Sequence, residues 1–174
     1  MITLGGGTPD GNTLLTELTT DDWCTPRGLA QALGMFDLDP CSNPRSHVQA
    51  RVRYALPQNG LQLPWMGRVF LNPPYSDVLP WATRAVEHTP PGTVVALVKL
   101  DPTTKWWAKF MELRGVNWAP FKHRIKFERP DKPPFTANFP SALIWGGAAF
   151  LGEDPRDLGV DIWEPNDRYD HNGD

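Results

Sequence analysis

The sequence predicts an α/β fold in which helices cover both faces of a mostly parallel sheet, giving three layers. Strand-like and helix-like segments alternate through the middle of the chain, which is typical of this class. The segment 93–98 is apolar at nearly every position, as in a parallel strand buried on both faces. Polar residues follow two other predicted strands, and sheets of this class bind ligands at the carboxyl ends of their strands.

The first elements are predicted from capping signals and apolar runs. A helix over 27–34 is ended by Gly34, and Asp21 or Asp22 is the candidate cap at its beginning. The segment that follows predicts a short strand over 35–39.

The central elements are separated by a long connection. Residues 42–66 have no convincing helix or strand period, so we expect an extended segment with about one helical turn. A strand over 69–71 comes next, followed by a helix over 78–87 with apolar residues at helical spacing. Another helix over 103–113 begins near Asp101, with a proline at its first position.

Three further strands complete the predicted sheet. They cover 116–121, 124–127 and 142–145, and we expect the first to be parallel and the last antiparallel. The alternation of elements therefore predicts one domain with a mostly parallel sheet and an antiparallel last strand.

Charge divides the chain unevenly. The 174 residues carry a net charge of −3, but residues 1–150 hold 15 Lys and Arg against 12 Asp and Glu, whereas 151–174 hold 2 against 8. We expect a flexible Gly- and Thr-rich arm at 1–20, one folded domain at 21–150 and a loosely attached acidic tail at 151–174. A mildly basic body is compatible with nucleic-acid binding but does not establish it.

The cysteines and the hydropathy pattern predict the compartment. Cys24 and Cys41 show no metal-ligand spacing and fit a reducing environment. No apolar stretch approaches the roughly 20 residues that a membrane span needs, and nothing resembles a signal peptide. We therefore expect a cytoplasmic protein that uses no metal and binds no membrane.

The most informative segment is Asn72-Pro73-Pro74-Tyr75, which follows the strand 69–71 directly. Two prolines stiffen the turn and leave nearby carbonyl oxygens without local donors. Together with the side-chain oxygen of Asn72 and the ring of Tyr75, such a carbonyl suits a planar heterocycle that bears an amino group. A proline-terminated strand with a packed tyrosine is the alternative for this tetrapeptide by itself.

The chemistry of an adenine amine explains these residue types. Its lone pair is delocalised into the ring, and two hydrogen bonds accepted from its hydrogens favour a pyramidal nitrogen that can attack an electrophile. Catalysis then depends on positioning and on preorganised acceptors. A base inside a duplex cannot reach such a site, so it must be flipped out.

The order and spacing of several short segments resemble the phage-type DNA N6-adenine methyltransferases, which are S-adenosyl-L-methionine-dependent class I methyltransferases. The resemblance runs from about Trp23 to Trp145. It is carried by Trp23-Cys24-Thr25-Pro26, Leu38-Asp39-Pro40-Cys41, Asn59-Gly60-Leu61 with Trp65, Asn72-Pro73-Pro74-Tyr75-Ser76, Arg124-Ile125-Lys126-Phe127 and Pro140-Ser141-Ala142-Leu143. It implies an abbreviated, Rossmann-like class I methyltransferase sheet, and methyl transfer to adenine N6 in a base flipped from double-stranded DNA. For a phage protein, the compartment would be the host bacterial cytoplasm.

The resemblance also implies roles for individual residues. The catalytic residues would be Asn72, Pro73, Pro74 and Tyr75, and the cofactor-binding residues Thr25, Pro26, Asp39, Cys41, Asn43 and Asn59. In this family an acid at the position of Asp39 meets the amino group of the cofactor's methionine part, and Thr25 would bind its carboxylate.

Two departures from the family pattern concern the cofactor. The strand 35–39 is followed by no Gly-rich loop, and no Asp or Glu occurs between Asp39 and Asp77 to hold the ribose. The ribose must then be held by an amide such as Asn43 or Asn59, by the backbone or by a later residue. Asn59 also stands where the family usually has Asp.

Two basic groups of residues are candidates for DNA contact. One group is Arg51 and Arg53, within the stretch that lacks acids, and the other is Lys122, Arg124 and Lys126. Both could bind phosphates, which would position the duplex without reading its sequence. A solvated basic face is the alternative for each group.

Three alternatives to adenine methylation stay open at this point. Related enzymes methylate cytosine N4 in DNA or a glutamine side-chain amide in proteins. Both substrates present a planar –NH2 group. A non-catalytic DNA-binding or decoy protein is the third alternative, because the Gly-rich loop and the ribose acid are missing.

Overall fold

The computed structural model describes residues 23–89, 92–129, 132–147 and 154–164. The expected arm at 1–20 and the candidate helix caps Asp21 and Asp22 lie outside the described residues. Within the described ranges, no helix is long and apolar enough to cross a membrane.

Three helices and eight strands are found in the described chain. In order they are α1 (Arg27–Leu33), β1 (Met35–Asp39), β2 (Gln49–Arg53), β3 (Arg68–Leu71), α2 (Leu79–His88), β4 (Thr93–Lys99), α3 (Lys105–Phe110), β5 (Asn117–Pro120), β6 (Lys126–Arg129), β7 (Lys132–Thr136) and β8 (Ser141–Gly147).

Six strands form one sheet in the order β2-β1-β3-β4-β8-β5. The first four strands are parallel to one another, and β8 is antiparallel to both of its neighbours, β4 and β5. The predicted α/β class with a mostly parallel sheet and an antiparallel last strand is therefore confirmed. β5, which was expected to be parallel, runs in the same direction as β4. Among the described strands it pairs in the sheet only with β8, and that pairing is antiparallel.

Side chains alternate between the two faces of the sheet and give it two hydrophobic layers. Val94, Ala96 and Val98 pack with α2 and α3 on one face. Val95 and Leu97 pack on the other face with α1 and with the β6–β7 hairpin. Because helices or a hairpin cover both faces, the domain has three layers, as the apolar pattern predicted.

The local signals located most elements but missed two strands. The prediction of no strand in 42–66 is wrong, because β2 pairs in parallel with β1 over four registered positions. β2 lies at the edge of the sheet, and only Ala50 and Val52 are half-buried, so its apolar pattern is weak. β7 was also missed because its sequence contains two prolines, which are tolerated since it pairs only with β6.

One helix terminus agrees with the expectation and another differs from it. α1 ends before Gly34, whose φ of 74° is the left-handed conformation that favours glycine, as predicted. α3 begins later than expected, because the side chain of Thr104 rather than Asp101 caps it by accepting a hydrogen bond from the Trp107 amide at 3.3 Å.

The acidic segment after residue 151 is partly packed on the domain. Ile162 is 2% exposed and forms an isolated bridge with Phe121. The Trp163 amide donates to the Pro120 carbonyl at 2.9 Å, and the Lys122 amide donates to the Asp161 carbonyl at 3.0 Å. The expected loose attachment is therefore wrong for residues 154–164, since Ile162 contributes to the core.

Candidate active site

The carboxyl ends of β1 and β3 form one wall of a cleft of about 430 Å³. The two strands are parallel neighbours, so the polar residues that follow them lie side by side. Five of the six expected cofactor residues and two of the four expected catalytic residues line this cleft: Thr25, Asp39, Cys41, Asn43, Asn59, Asn72 and Pro74. A cleft of this size is within the range that binds cofactor-sized molecules.

Asp39 is the acidic residue that lines the cleft. Its side chain is 3% exposed, and the Ser46 hydroxyl donates to it at 3.4 Å. Burial raises the pKa of Asp39 to about 6, although the Ser42 hydroxyl and the charge of Arg53 act in the opposite direction. In the described part of the chain no basic side chain lies within 4 Å of this carboxylate. The arrangement suits a cationic group of a ligand.

The side-chain amide of Asn72 is oriented by Thr25. Its Nδ2 donates to the Thr25 hydroxyl oxygen at 3.4 Å, and Thr25 is itself 3% exposed. Since the nitrogen end of the amide is used in this contact, the oxygen Oδ1 is the end that remains for a ligand in the cleft.

The main chain of the same motif presents one carbonyl without a local donor. The Asn72 carbonyl accepts a hydrogen bond from the Cys41 thiol at 3.1 Å, and the Pro74 carbonyl accepts one from the Asp77 amide at 3.2 Å. Burial raises the pKa of the Cys41 thiol well above its usual range, so the thiol stays protonated and can donate. Among the carbonyls of Asn72, Pro73 and Pro74, only that of Pro73 has no donor in the described residues.

The segment Asn59-Gly60-Leu61 closes the cleft at another side. A Cβ atom on Gly60 would lie 1.8 Å from the Pro40 carbonyl oxygen, so only glycine permits this approach. The indole of Trp65 donates to the Gly60 carbonyl at 2.7 Å and holds the segment in place. Asn59 uses Oδ1 to accept from the Leu61 amide at 3.1 Å, which leaves its amide nitrogen for a ligand.

Tyr75 packs beside the cleft instead of presenting an open ring to it. Its ring meets Phe127 and Phe139 edge to face at 6.3 and 5.3 Å, and the Lys99 ammonium lies 5.1 Å from its centroid. The hydroxyl is buried and has no hydrogen-bond partner among the described residues. Burial raises the pKa of Tyr75.

Pro26 and the two basic groups do not line the cleft, although Arg53 is the registered neighbour of Asp39 on β2. Pro26, Arg124 and Lys126 line a separate groove of about 280 Å³ on the face covered by α1. Lys122 follows β5, and its Nζ lies 5.5 Å from the Trp163 ring centroid. The other group, Arg51 and Arg53, is exposed on β2, and Arg51 lies 3.7 Å from Asp37. Lys122 follows the sheet edge opposite β2, whereas Arg124 and Lys126 belong to the segment that leads into β6 of the separate hairpin.

One cluster beside the cleft had no signal in the sequence. The Glu128 carboxylate accepts from the His47 ring at 2.8 Å and from the Arg27 amide at 3.1 Å. The backbone of Glu128 also bridges that of Cys24 through two hydrogen bonds. Glu128 thus connects the β6–β7 hairpin to the two segments that contain Thr25 and Asn43. These partners are up to 101 positions apart, so no local pattern indicates them.

The fold and the cleft define an α/β protein whose candidate site combines a buried acid with an Asn-Pro-Pro-Tyr strand end. Residues 12–144 match the family model described as DNA N-6-adenine-methyltransferase (Dam), and the chain belongs to this family. The predicted resemblance is confirmed by this match, which covers more than half of the chain.

A relative from Haemophilus phage HP1 (strain HP1c1), named DNA N-6-adenine-methyltransferase, is 40% identical over 76 residues. The aligned region covers 41% of this chain and 43% of the relative, so the chain spans less than half the length of that curated relative. No solved structure matches the chain.

Proposed function

We propose that this chain is an S-adenosyl-L-methionine-dependent methyltransferase that methylates the N6 amine of adenine in DNA. The observation that carries the proposal is the contact of Asn72 Nδ2 with Thr25 at 3.4 Å, which leaves Oδ1 as an acceptor at the cleft. The name of the phage relative and the family description agree with this reaction.

The residues present fit the proposed cofactor. Asp39 would accept the ammonium group, because its buried carboxylate has no basic side chain within 4 Å in the described chain and its pKa of about 6 allows it to ionise at neutral pH. Asn43 and Asn59 line the cleft with amides that suit hydroxyl groups, and Cys41 lies between the cofactor side and Asn72. When bound, S-adenosyl-L-methionine supplies an electrophilic methyl group on its sulfonium.

The chain would hold the adenine amine with two acceptors. One is Asn72 Oδ1, and the other is the Pro73 carbonyl, since the Asn72 and Pro74 carbonyls already accept from Cys41 and Asp77. Both acceptors stabilise the positive charge that develops on the amine nitrogen as it attacks. Because the two are held on a stiff turn, they need little reorganisation. Tyr75 would stack on the base.

The finer description of the fold belongs to the same proposal. We infer a Rossmann-like class I methyltransferase sheet in abbreviated form, supported by four parallel strands followed by an antiparallel strand between β4 and β5. The methyltransferase domain would comprise residues 21–150, preceded by the arm at 1–20 and followed by the acidic segment at 151–174, from which Ile162 packs into the core of the domain.

The proposed partner is double-stranded DNA with the target base flipped out. Arg124 and Lys126 are exposed and would contact phosphates, as would Lys122, Arg51 and Arg53. The enzyme would act in the cytoplasm, which for a phage protein is that of the bacterial host.

Nucleoside analysis of DNA from cells that express the protein tests the reaction. We expect N6-methyladenine with the wild type, and a loss of about 10²–10³ in rate with Asn72→Ala, because one preorganised acceptor is removed. Thr25→Val is the matched variant, because it keeps the shape of the side chain at position 25 but frees the Asn72 amide to rotate. Its methylation rate should lie between those of the wild type and Asn72→Ala.

The same measurement separates the alternatives. N4-methylcytosine in place of N6-methyladenine would identify a cytosine enzyme. A protein that binds no S-adenosyl-L-methionine in calorimetry and leaves the DNA unmodified would be a non-catalytic relative. Near-normal methylation by Asn72→Ala would contradict the amine-binding role.

A further inference from the structure

Lys99 is the last residue of β4 and lies close to the Asn-Pro-Pro-Tyr motif. Its Nζ is 5.1 Å from the ring centroid of Tyr75 and 4.5 Å from that of Phe139. The two rings meet edge to face, with their centroids 5.3 Å apart. The ammonium group therefore covers the ring that the proposed function assigns to stacking on the base.

The surroundings of Lys99 provide no counter-ion. Lys99 is half-buried, yet in the described chain no acidic side chain lies within 4 Å of its ammonium group and no hydrogen bond satisfies it. The two aromatic rings compensate its charge only in part. A cation in this position, at the carboxyl end of β4 and beside the proposed base site, is available to a phosphate.

The space beside Tyr75 is too small for a base. The cavity between Trp23, Asn72, Tyr75 and Phe127 measures about 20 Å³, which holds about one water molecule. Lys99 does not line this cavity but lies over the ring with its Nζ 5.1 Å from the centroid, so it must move before adenine can stack there. Phe127 is 2% exposed in the core, whereas Lys99 is half-buried and has a flexible four-carbon stem, so Lys99 can leave the ring without disturbing the core.

We propose that Lys99 is a positioning residue that covers Tyr75 in the free protein and exchanges places with the flipped adenine. Its ammonium group then contacts a phosphate beside the flipped nucleotide. Stacking of a base on an aromatic ring is stronger than a cation–π contact at a half-exposed site, and the phosphate contact adds to the difference. The exchange rests on the proposed function, because it requires that a base enters at Tyr75.

NMR spectroscopy of protein labelled with ¹³C at the lysine Cε tests the exchange. Ring currents of Tyr75 and Phe139 should shift the Lys99 resonance upfield in the free protein. The Lys99 resonance is assigned as the one that is missing from the spectrum of Lys99→Arg. A short duplex with one mismatched adenine should return it to the ordinary lysine position, since a mismatched base flips at lower cost. A duplex of equal length with only G·C pairs should leave it upfield.

Three results would overturn the exchange. They are a resonance without an upfield shift in the free protein, a resonance that stays upfield with the mismatched duplex, and one that moves equally with both duplexes. The last result would indicate a phosphate contact without exchange for a base.

The phosphate contact is tested by the salt dependence of binding to the mismatched duplex. Lys99→Met keeps the length of the side chain and removes its charge, so the slope of log K against log salt should fall by about 0.9. Lys99→Arg should keep the slope, and both variants should retain the affinity for S-adenosyl-L-methionine. An unchanged slope in a folded Lys99→Met variant would contradict the contact.

Both tests measure binding and so can be separated from the proposed reaction. If Lys99 moves as expected but the wild type forms no N6-methyladenine, the proposed reaction is wrong and the exchange stands. If N6-methyladenine forms but the Lys99 resonance does not move with the mismatched duplex, the exchange is wrong and the reaction stands.

Discussion

The Cys41 thiol donates a hydrogen bond to the main-chain carbonyl of Asn72 at 3.1 Å. The two residues follow the neighbouring strands β1 and β3, so the bond joins the proposed cofactor side of the cleft to the base side. Because burial raises the pKa of the thiol, it stays a donor at neutral pH. The bond occupies the Asn72 carbonyl and fixes the backbone that carries the proposed acceptors.

Loss of this bond should slow the reaction without preventing folding. Cys41→Ala removes a neutral hydrogen bond of about 1 kcal/mol, which corresponds to roughly a fivefold lower kcat if the bond acts on the position of Asn72. Cys41→Ser keeps a donor of similar size and should retain more of the activity. Equal kcat values for the two variants at saturating DNA and cofactor would show that the donor does not position the motif.

Burial of Asp39 should make stability depend on pH. The folded-state pKa of about 6 lies above the ordinary aspartate pKa of 3.8, so as pH rises from 4 to 6 the unfolded chain ionises first and the folded state is destabilised. The shift of roughly 2 units corresponds to a loss on the order of 3 kcal/mol above pH 6. Asp39→Asn should therefore be more stable than the wild type at pH 7.5 and similar to it near pH 4.

Urea denaturation at both pH values checks this prediction, with the exposed Asp77→Asn as the control. Asp39→Asn should also weaken binding of S-adenosyl-L-methionine at pH 7.5, because the carboxylate that is proposed to bind the cofactor would be absent. A variant that is no more stable at pH 7.5 would mean that Ser42, Ser46 and Arg53 fully compensate the buried charge. Unchanged cofactor affinity would contradict the assignment of Asp39 to the cofactor.

The buried hydroxyl of Tyr75 should cost stability. It has no partner among the described residues, so Tyr75→Phe removes an unsatisfied polar atom and should raise the free energy of unfolding by about 1 kcal/mol. The ring is kept, so DNA methylation should change little. Tyr75→Ala should weaken capture of the base by on the order of 1–3 kcal/mol. A Phe variant that is stable but inactive would show that the hydroxyl has a polar role in the complex.

Salt titrations should distinguish the two basic groups. If Arg124 and Lys126 contact phosphates, replacing both by Ala should lower the slope of log K against log salt by about 0.9 for each contact, and should weaken binding to all duplexes alike. Arg51→Ala on the edge strand β2 is the matched comparison, because Arg51 belongs to the other basic group. A slope that falls only with Arg51→Ala would place the DNA along β2.

Local signals in the sequence were sufficient for the framework of the site. β3 is a short apolar run before Asn72 and the prolines, and β1 carries apolar residues up to Asp39, so both strands and the positions of Asp39 and Asn72 at their ends could be predicted. The buried strand β4 and the three helices were found for the same reason. The glycine at position 34 likewise predicted where α1 ends.

Other features depend on contacts that no local pattern encodes. β2 was missed because only two apolar residues, Ala50 and Val52, carry its alternation. The packing of 154–164 depends on one buried side chain, Ile162, in an acidic segment. Thr25 and Asn72 are 47 positions apart, so only the packed chain shows that Thr25 orients the amide.

The sequence by itself determined which chemical groups are present at the strand ends, because strand termini and proline turns are set by neighbouring residues. The tertiary structure alone decided which of those groups are already occupied. It assigns the Asn72 and Pro74 carbonyls to Cys41 and Asp77, leaves that of Pro73 free among the described residues, and covers Tyr75 with Lys99. The reason is physical: the availability of a donor, an acceptor or a ring depends on what lies within a few ångströms, and distant parts of the chain supply most of those neighbours.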